Sequence, residues 1–214
     1  MADIFREVDE DLRRDNLEQL WKKYGRFLIA LAVVAVLSVA GVQAWRAYDE
    51  SRRQELSDRF ATALAMAETG DTAAALNSLA ELADPGGGGY GGLAALQRAR
   101  ILSETGALDE AIAIWDRVAA DSDLGPGFRS AATLLSVMNQ IDQGDPATLR
   151  GRLEPLAADD APFRGTAREL MAVLALRTGD RAAARELYTK IADDREAPAG
   201  LRARATQMLA ALGN

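Results

Sequence analysis

The sequence contains no cysteine and no histidine. Without cysteine there can be no disulfide and no thiol chemistry, and the redox compartment stays undetermined. Without histidine the commonest general base and metal ligand is missing. Aromatic residues make up only 6% of the 214 residues, and lysine occurs only at 22, 23 and 190. Positive charge is outweighed: 25 Lys and Arg against 32 Asp and Glu leave a net charge of −7 and a pI near 4.8. Such a chain repels phosphate backbones, which argues against nucleic acid as a partner. No phosphate loop is present either. "DPGGGGYGG" at 84 to 92 lacks the Lys-Ser/Thr of that motif and follows a helix, so it reads as a flexible connection. With no nucleophile motif and no ligand cluster, the reading is of a non-enzyme with no cofactor, no metal and no small-molecule substrate.

What the chain does have is abundant alanine among 49% hydrophobic residues. Small apolar residues let helices approach closely, so an all-α fold is expected. One stretch stands apart. "RFLIALAVVAVLSVAGVQAW", residues 26 to 45, carries no charge between Arg26 and Arg46. As a helix, Phe27 to Trp45 would span about 28 Å, close to the hydrocarbon thickness of a bilayer. Ten of its residues are Phe, Leu, Ile or Val, worth on the order of −3 to −6 kcal/mol of insertion free energy together. Trp21 and Tyr24 precede the run, and Trp45 and Tyr48 follow it, as two membrane interfaces favour. A cleaved signal peptide, with "VQA" at 42 to 44 as its cut site, fits less well. The preceding tail is long and acidic, and the run exceeds an ordinary signal core.

The expected division is therefore a cytoplasmic tail at 1–25, a transmembrane helix at 26–46 and a domain at 47–214 on the far side. The basic cluster Lys22, Lys23 and Arg26 places the amino terminus in the cytoplasm. The tail itself spaces Ile4, Phe5, Val8 and Leu12, then Leu17, Leu20, Trp21 and Tyr24, as a short interfacial helix or a docking peptide for a cytoplasmic partner would. No Gly or Pro interrupts 42 to 69, which predicts that the spanning helix continues as a stalk. Packing should begin at Phe60, Ala63, Leu64 and Ala67.

The remainder is a repeat. "ETGDTAAALNSLAELA", "ETGALDEAIAIWDRVA", "DQGDPATLRGRLEPLA" and "RTGDRAAARELYTKIA" align on Gly70, Gly106, Gly144 and Gly179. A near-constant spacing of this kind is the signature of a helical solenoid. Five residues after each glycine stand Ala75, Ala111, Leu149 and Ala184, and nine after it Leu79, Trp115, Leu153 and Tyr188. Twelve after it stand Leu82, Val118, Leu156 and Ile191; seven before it stand Ala63, Ala99, Val137 and Ala172. The glycine ends one helix in a left-handed turn. The small residues let two helices touch, and the large ones fill the gap to the next pair. Pro146, Gly151 and Pro155 should shorten or break the third second-helix. "QMLAALGN" completes a capping helix. Asp159–Asp160 and Asp193–Asp194 read as solvated turn residues. Arg129, Arg164 and Arg202 recur after each inter-repeat proline and could form an anion-binding row or simply pair with neighbouring helices.

"GALDEAIAIWDRVA" resembles the tetratricopeptide repeat, with Gly106, Leu108, Ala111 and Trp115 where that family has Gly, an aromatic or Leu, Ala and an aromatic. In that fold the first helices line a concave face. Carried onto these positions, the resemblance implies a partner-binding face including Leu96, Arg100, Leu134, Met138, Glu169 and Val173; Leu134 and Met138 fit the core equally well. The whole layout also resembles the ancillary SecYEG translocon subunit family (YfgM-like): a tail running into "LEQLWKKYGRFLIALAVVAVL", aromatics after the run, then repeats. That resemblance implies a single-pass protein of the bacterial cell inner membrane with a periplasmic repeat domain. Its implied partners are the SecYEG translocon and periplasmic chaperones. A structural scaffold for cell-envelope assembly or division is the competing expectation.

Overall fold

A computed structural model describes residues 2–83 and 88–213, with side chains described at 22–27, 29, 31 and from 33 onward. Among the described residues every regular element is helical: α1 (Ala2–Glu68), α2 (Thr72–Leu82), α3 (Gly88–Glu104), α4 (Leu108–Ala120) and α5 (Pro126–Gln140) come first. Then follow α6 (Pro146–Leu153), a 3-10 turn (Glu154–Ala157), α7 (Arg164–Arg177), α8 (Arg181–Asp193) and α9 (Ala199–Leu212). The chain divides into two units, Met1–Glu55 and Leu56–Asn214.

In the first unit every described large apolar side chain from Phe27 to Trp45 is more than half exposed. Ser38 turns its hydroxyl back onto the Val34 carbonyl at 2.8 Å, so its polar group is satisfied within the helix. Among the described residues no helix is long and apolar enough to cross a membrane. The expected span also contains Leu28, Ala30 and Ala32, whose side chains lie outside the described residues. The apolar tail positions from Ile4 to Trp21 lie outside them as well.

The second unit is a stack of helix pairs. Its core begins where the sequence places it: Ala63 is fully buried, with Phe60 and Ala67 packed alongside, and Leu56 joins one turn earlier. The positions five and nine residues after each turn glycine are buried without exception, from Ala75 and Leu79 to Ala184 and Tyr188. So are those seven residues before it. Each large side chain so removed from water contributes roughly 1.5–3 kcal/mol. The twelfth position fails once. Leu156 falls in the 3-10 turn and is only half-buried.

Three of the turns share one construction. Gly70, Gly106 and Gly179 have φ of +89°, +91° and +81°. The residue after each donates its N–H across the turn, Asp71 to Met66, Ala107 to Leu102 and Asp180 to Ala175, at 2.8–2.9 Å. These bonds satisfy carbonyls that the helix end would otherwise orphan. The threonine before each glycine donates to that same carbonyl and to the one before it, as Thr105 does to Leu102 and Ile101. Gly144 corrects the expectation of a fourth such turn, since its φ is not positive. It is small for another reason: a Cβ there would stand 2.9 Å from Leu149 Cδ1 and 3.0 Å from the Gln140 carbonyl oxygen. Gln143 replaces the threonine, and Arg177 of the next pair donates instead to two other carbonyls of this turn, those of Ile141 and Gly144.

The third second-helix is short, as its prolines predict: α6 stops at Leu153, and Pro155 stands at the start of the 3-10 turn. The glycine-rich run is a partial correction. Residues 84–87 lie outside the described residues, but Gly88 to Gly92 form the first turn of α3, with Gly91 and Gly92 buried. A Cβ on Gly92 would come within 3.1 Å of Leu124 and 3.2 Å of Phe128. Close helix contact therefore governs that end of the run.

Candidate interaction face

The first helix of each pair touches the first helix of the next: α3 meets α5, α5 meets α7 and α7 meets α9. A continuous layer of first helices results. Ser103 on α3 donates to Asn139 on α5 at 3.0 Å. Further along, Arg204 on α9 grips both carboxylate oxygens of Glu169 on α7 at 2.9 Å. That fork raises the Arg204 guanidinium above its ordinary value, chiefly through the hydrogen bonds to Glu169. Glu169 also adds to the burial that pushes the Tyr188 phenol up.

The residues expected to form the face separate by depth. Arg100 and Met138 are exposed, Met138 at 47%; Leu96 and Val173 are half-buried. Leu134 is 7% exposed and belongs to the core between α5 and α7. Glu169 is taken by Arg204. Arg100 pairs with Glu104 on its own helix and donates to Gln97 at 3.3 Å. A shallow cleft of about 250 Å³ runs beside Arg100, between Leu64 and Ala67 at the end of α1 and Gln97 and Ile101 on α3. Among the described residues no group of acidic side chains is placed to hold a metal ion.

The recurring arginines do not form a row of open cations. Arg164 donates to Asp194 at 2.9 and 3.2 Å and to Glu196 at 2.7 Å. Arg202 donates to the carbonyls of Arg195 and Ala197. Arg129 has its Nε buried without a partner. Two of the three thus secure inter-repeat turns. Asp194 is accordingly no solvated turn residue, because only 14% of its side chain is exposed. The Arg164 hydrogen bond beside it holds its carboxyl below the usual carboxylate range. Asp193 is exposed, and Asp159, exposed too, pairs with Arg168. Sequence reasoning missed the Thr-Gly signal at the turns and the Arg204–Glu169 fork. The first was visible as "TG" in three of four aligned segments. The second joins positions whose facing only the fold reveals.

Residues 18–213 match the family described as tetratricopeptide repeat-like domain. No curated protein and no solved structure matches the chain.

Proposed function

Because this chain belongs to the tetratricopeptide repeat-like domain family, whose domains are generally protein-interaction modules rather than enzymes, we propose that it is a membrane-anchored, non-catalytic interaction module. We assign it as an ancillary subunit of the bacterial Sec translocon that links export to periplasmic chaperones. The observation that carries the anchor is the helix from Phe27 to Trp45. It carries no charge, and its described large apolar side chains are all more than half exposed. A helix apolar all round belongs in a core or in lipid. Lys22, Lys23 and Arg26 favour a cytoplasmic amino terminus. The order of tail, apolar run and repeats supports the translocon reading by resemblance.

In this reading the anchor fixes the first-helix layer beside an export channel and raises its effective concentration there. A weak contact, on the order of micromolar, then suffices. Affinity purification from detergent-solubilised membranes tests the partner: recovery of translocon subunits is expected, and recovery of cell-wall or division machinery alone would reject it. Protease added to spheroplasts is expected to digest the repeat domain. Protection of that domain would overturn the orientation. Met138→Asp is expected to weaken partner recovery at least threefold with helicity unchanged. Leu134→Asp is expected to unfold the domain instead, because Leu134 is core.

A further inference from the structure

One slot of the solenoid recurs with the repeat, and two copies of it are filled differently. Counted from the turn glycines, it is bounded by the tenth residue after one glycine, the eighth before the next and the eighth after that. Between α4 and α6 these are Asp116, Ser136 and Arg152. There the Asp116 carboxylate accepts hydrogen bonds from Ser136 at 2.6 Å and Arg152 at 2.5 Å. Ser136 is fully buried, and Gln140 donates to its hydroxyl at 2.9 Å. The slot's two charges pair with each other, although 45% of the Asp116 side chain stays exposed.

Between α2 and α4 the same positions are Ala80, Arg98 and Ile114. All three line an open groove of about 770 Å³. The acid is gone, Ile114 stands in place of the arginine, and Arg98 takes the position of Ser136. Arg98 Nε is shut off from solvent with no hydrogen-bond partner, an uncompensated burial for a charged group. Helix side chains lean toward the amino terminus, which directs Arg98 along α3 toward Ala95 and Gly91, also in the groove wall. Arg117 adds a second positive charge, while Val118 and Leu124 give an apolar wall. Asp121 and Asp123 line it as well, so the charges of the described lining cancel and any attraction for an acid is local to Arg98.

We propose that this groove receives an acidic side chain of a partner polypeptide, held by Arg98 from the position where Ser136 donates to Asp116 one repeat further on. The partner segment has an apolar residue next to its acid, seated against Val118 and Leu124. This groove lies among α2, α3 and α4, and none of its lining residues is among those expected to form the first-helix face, so it stands or falls independently of the translocon reading.

The test uses the full-length chain in detergent micelles, titrated with the peptide acetyl-Ala-Glu-Leu-Ala-amide at low salt and followed by amide NMR. The Glu peptide is expected to shift the Gly91 and Gly92 amides and to bind about tenfold more tightly than its Gln counterpart. Arg98→Met should erase that preference with helicity retained. Ala80→Asp should erase it too, by supplying the carboxylate from within. Should Arg98→Met fail to fold, Ala80→Asp carries the test alone. Equal binding of the two peptides, no shift at millimolar peptide, or an undiminished preference in a folded variant would overturn the assignment.

Discussion

Trp115 is the largest side chain fully buried in the repeat domain, yet its indole N–H has no hydrogen-bond partner. Its volume and its polar atom therefore act in opposite directions. Trp115→Ala is expected to cost about 3–5 kcal/mol. Trp115→Phe should cost much less, because it removes a donor whose burial is worth about 1–3 kcal/mol of penalty; urea midpoints would separate the two. Asp194 gives a prediction in pH. Its carboxyl is held low by Arg164, so its contribution is complete above the unfolded value, near pH 4, and is lost as pH falls through the lower folded value. Asp194→Asn should flatten the loss of melting temperature in that acid range and leave the profile above roughly pH 5 parallel to wild type. At this scale the sequence is a good guide where one residue type answers one need, as with the alanines at 63, 99 and 172, all fully buried. It is a poor guide to Asp194, because an Asp-Asp pair in a turn looks the same whether or not an arginine 30 residues earlier reaches it.

Among the elements, the second helices begin alike in three repeats and differently in one. Asp71, Asp145 and Asp180 each accept a hydrogen bond from a backbone N–H three residues on, at 2.8–3.2 Å. Ala107 holds the same place before α4 without a side-chain cap. Its φ and ψ of −87° and 55° lie close to the −82° and 65° of Asp71. Ala107→Asp should therefore stabilise the domain by roughly 0.5–1 kcal/mol, seen as a higher urea midpoint with an unchanged slope. The brevity of α6 was legible from its prolines. The start of α3 was not, since glycine is a weak helix former. Only its contact with Leu124 and Phe128 accounts for helix there.

For the whole molecule, the core of the second unit starts at Leu56, partway along α1. A chain shortened to begin near residue 50 should keep its helicity and unfold cooperatively. One beginning near residue 70 should not, because Phe60, Ala63 and Ala67 would leave the first pair uncovered. Circular dichroism during thermal melting distinguishes the two. The solenoid could be read from its glycine spacing, since every pair solves the same packing problem. The polar fastenings between pairs could not, because they depend on which faces meet.

Those fastenings join residues one period apart. Ser103 reaches Asn139, Arg152 reaches Asp116 and Arg177 reaches Ile141, each across 36 residues, and Arg204 reaches Glu169 across 35. An inserted whole unit would find a neighbour at the proper distance on either side; a fractional insertion would break the spacing of every fastening that straddles it. Growth or shrinkage of such a gene is thereby quantised, and duplications that respect the period are the ones a cell can keep.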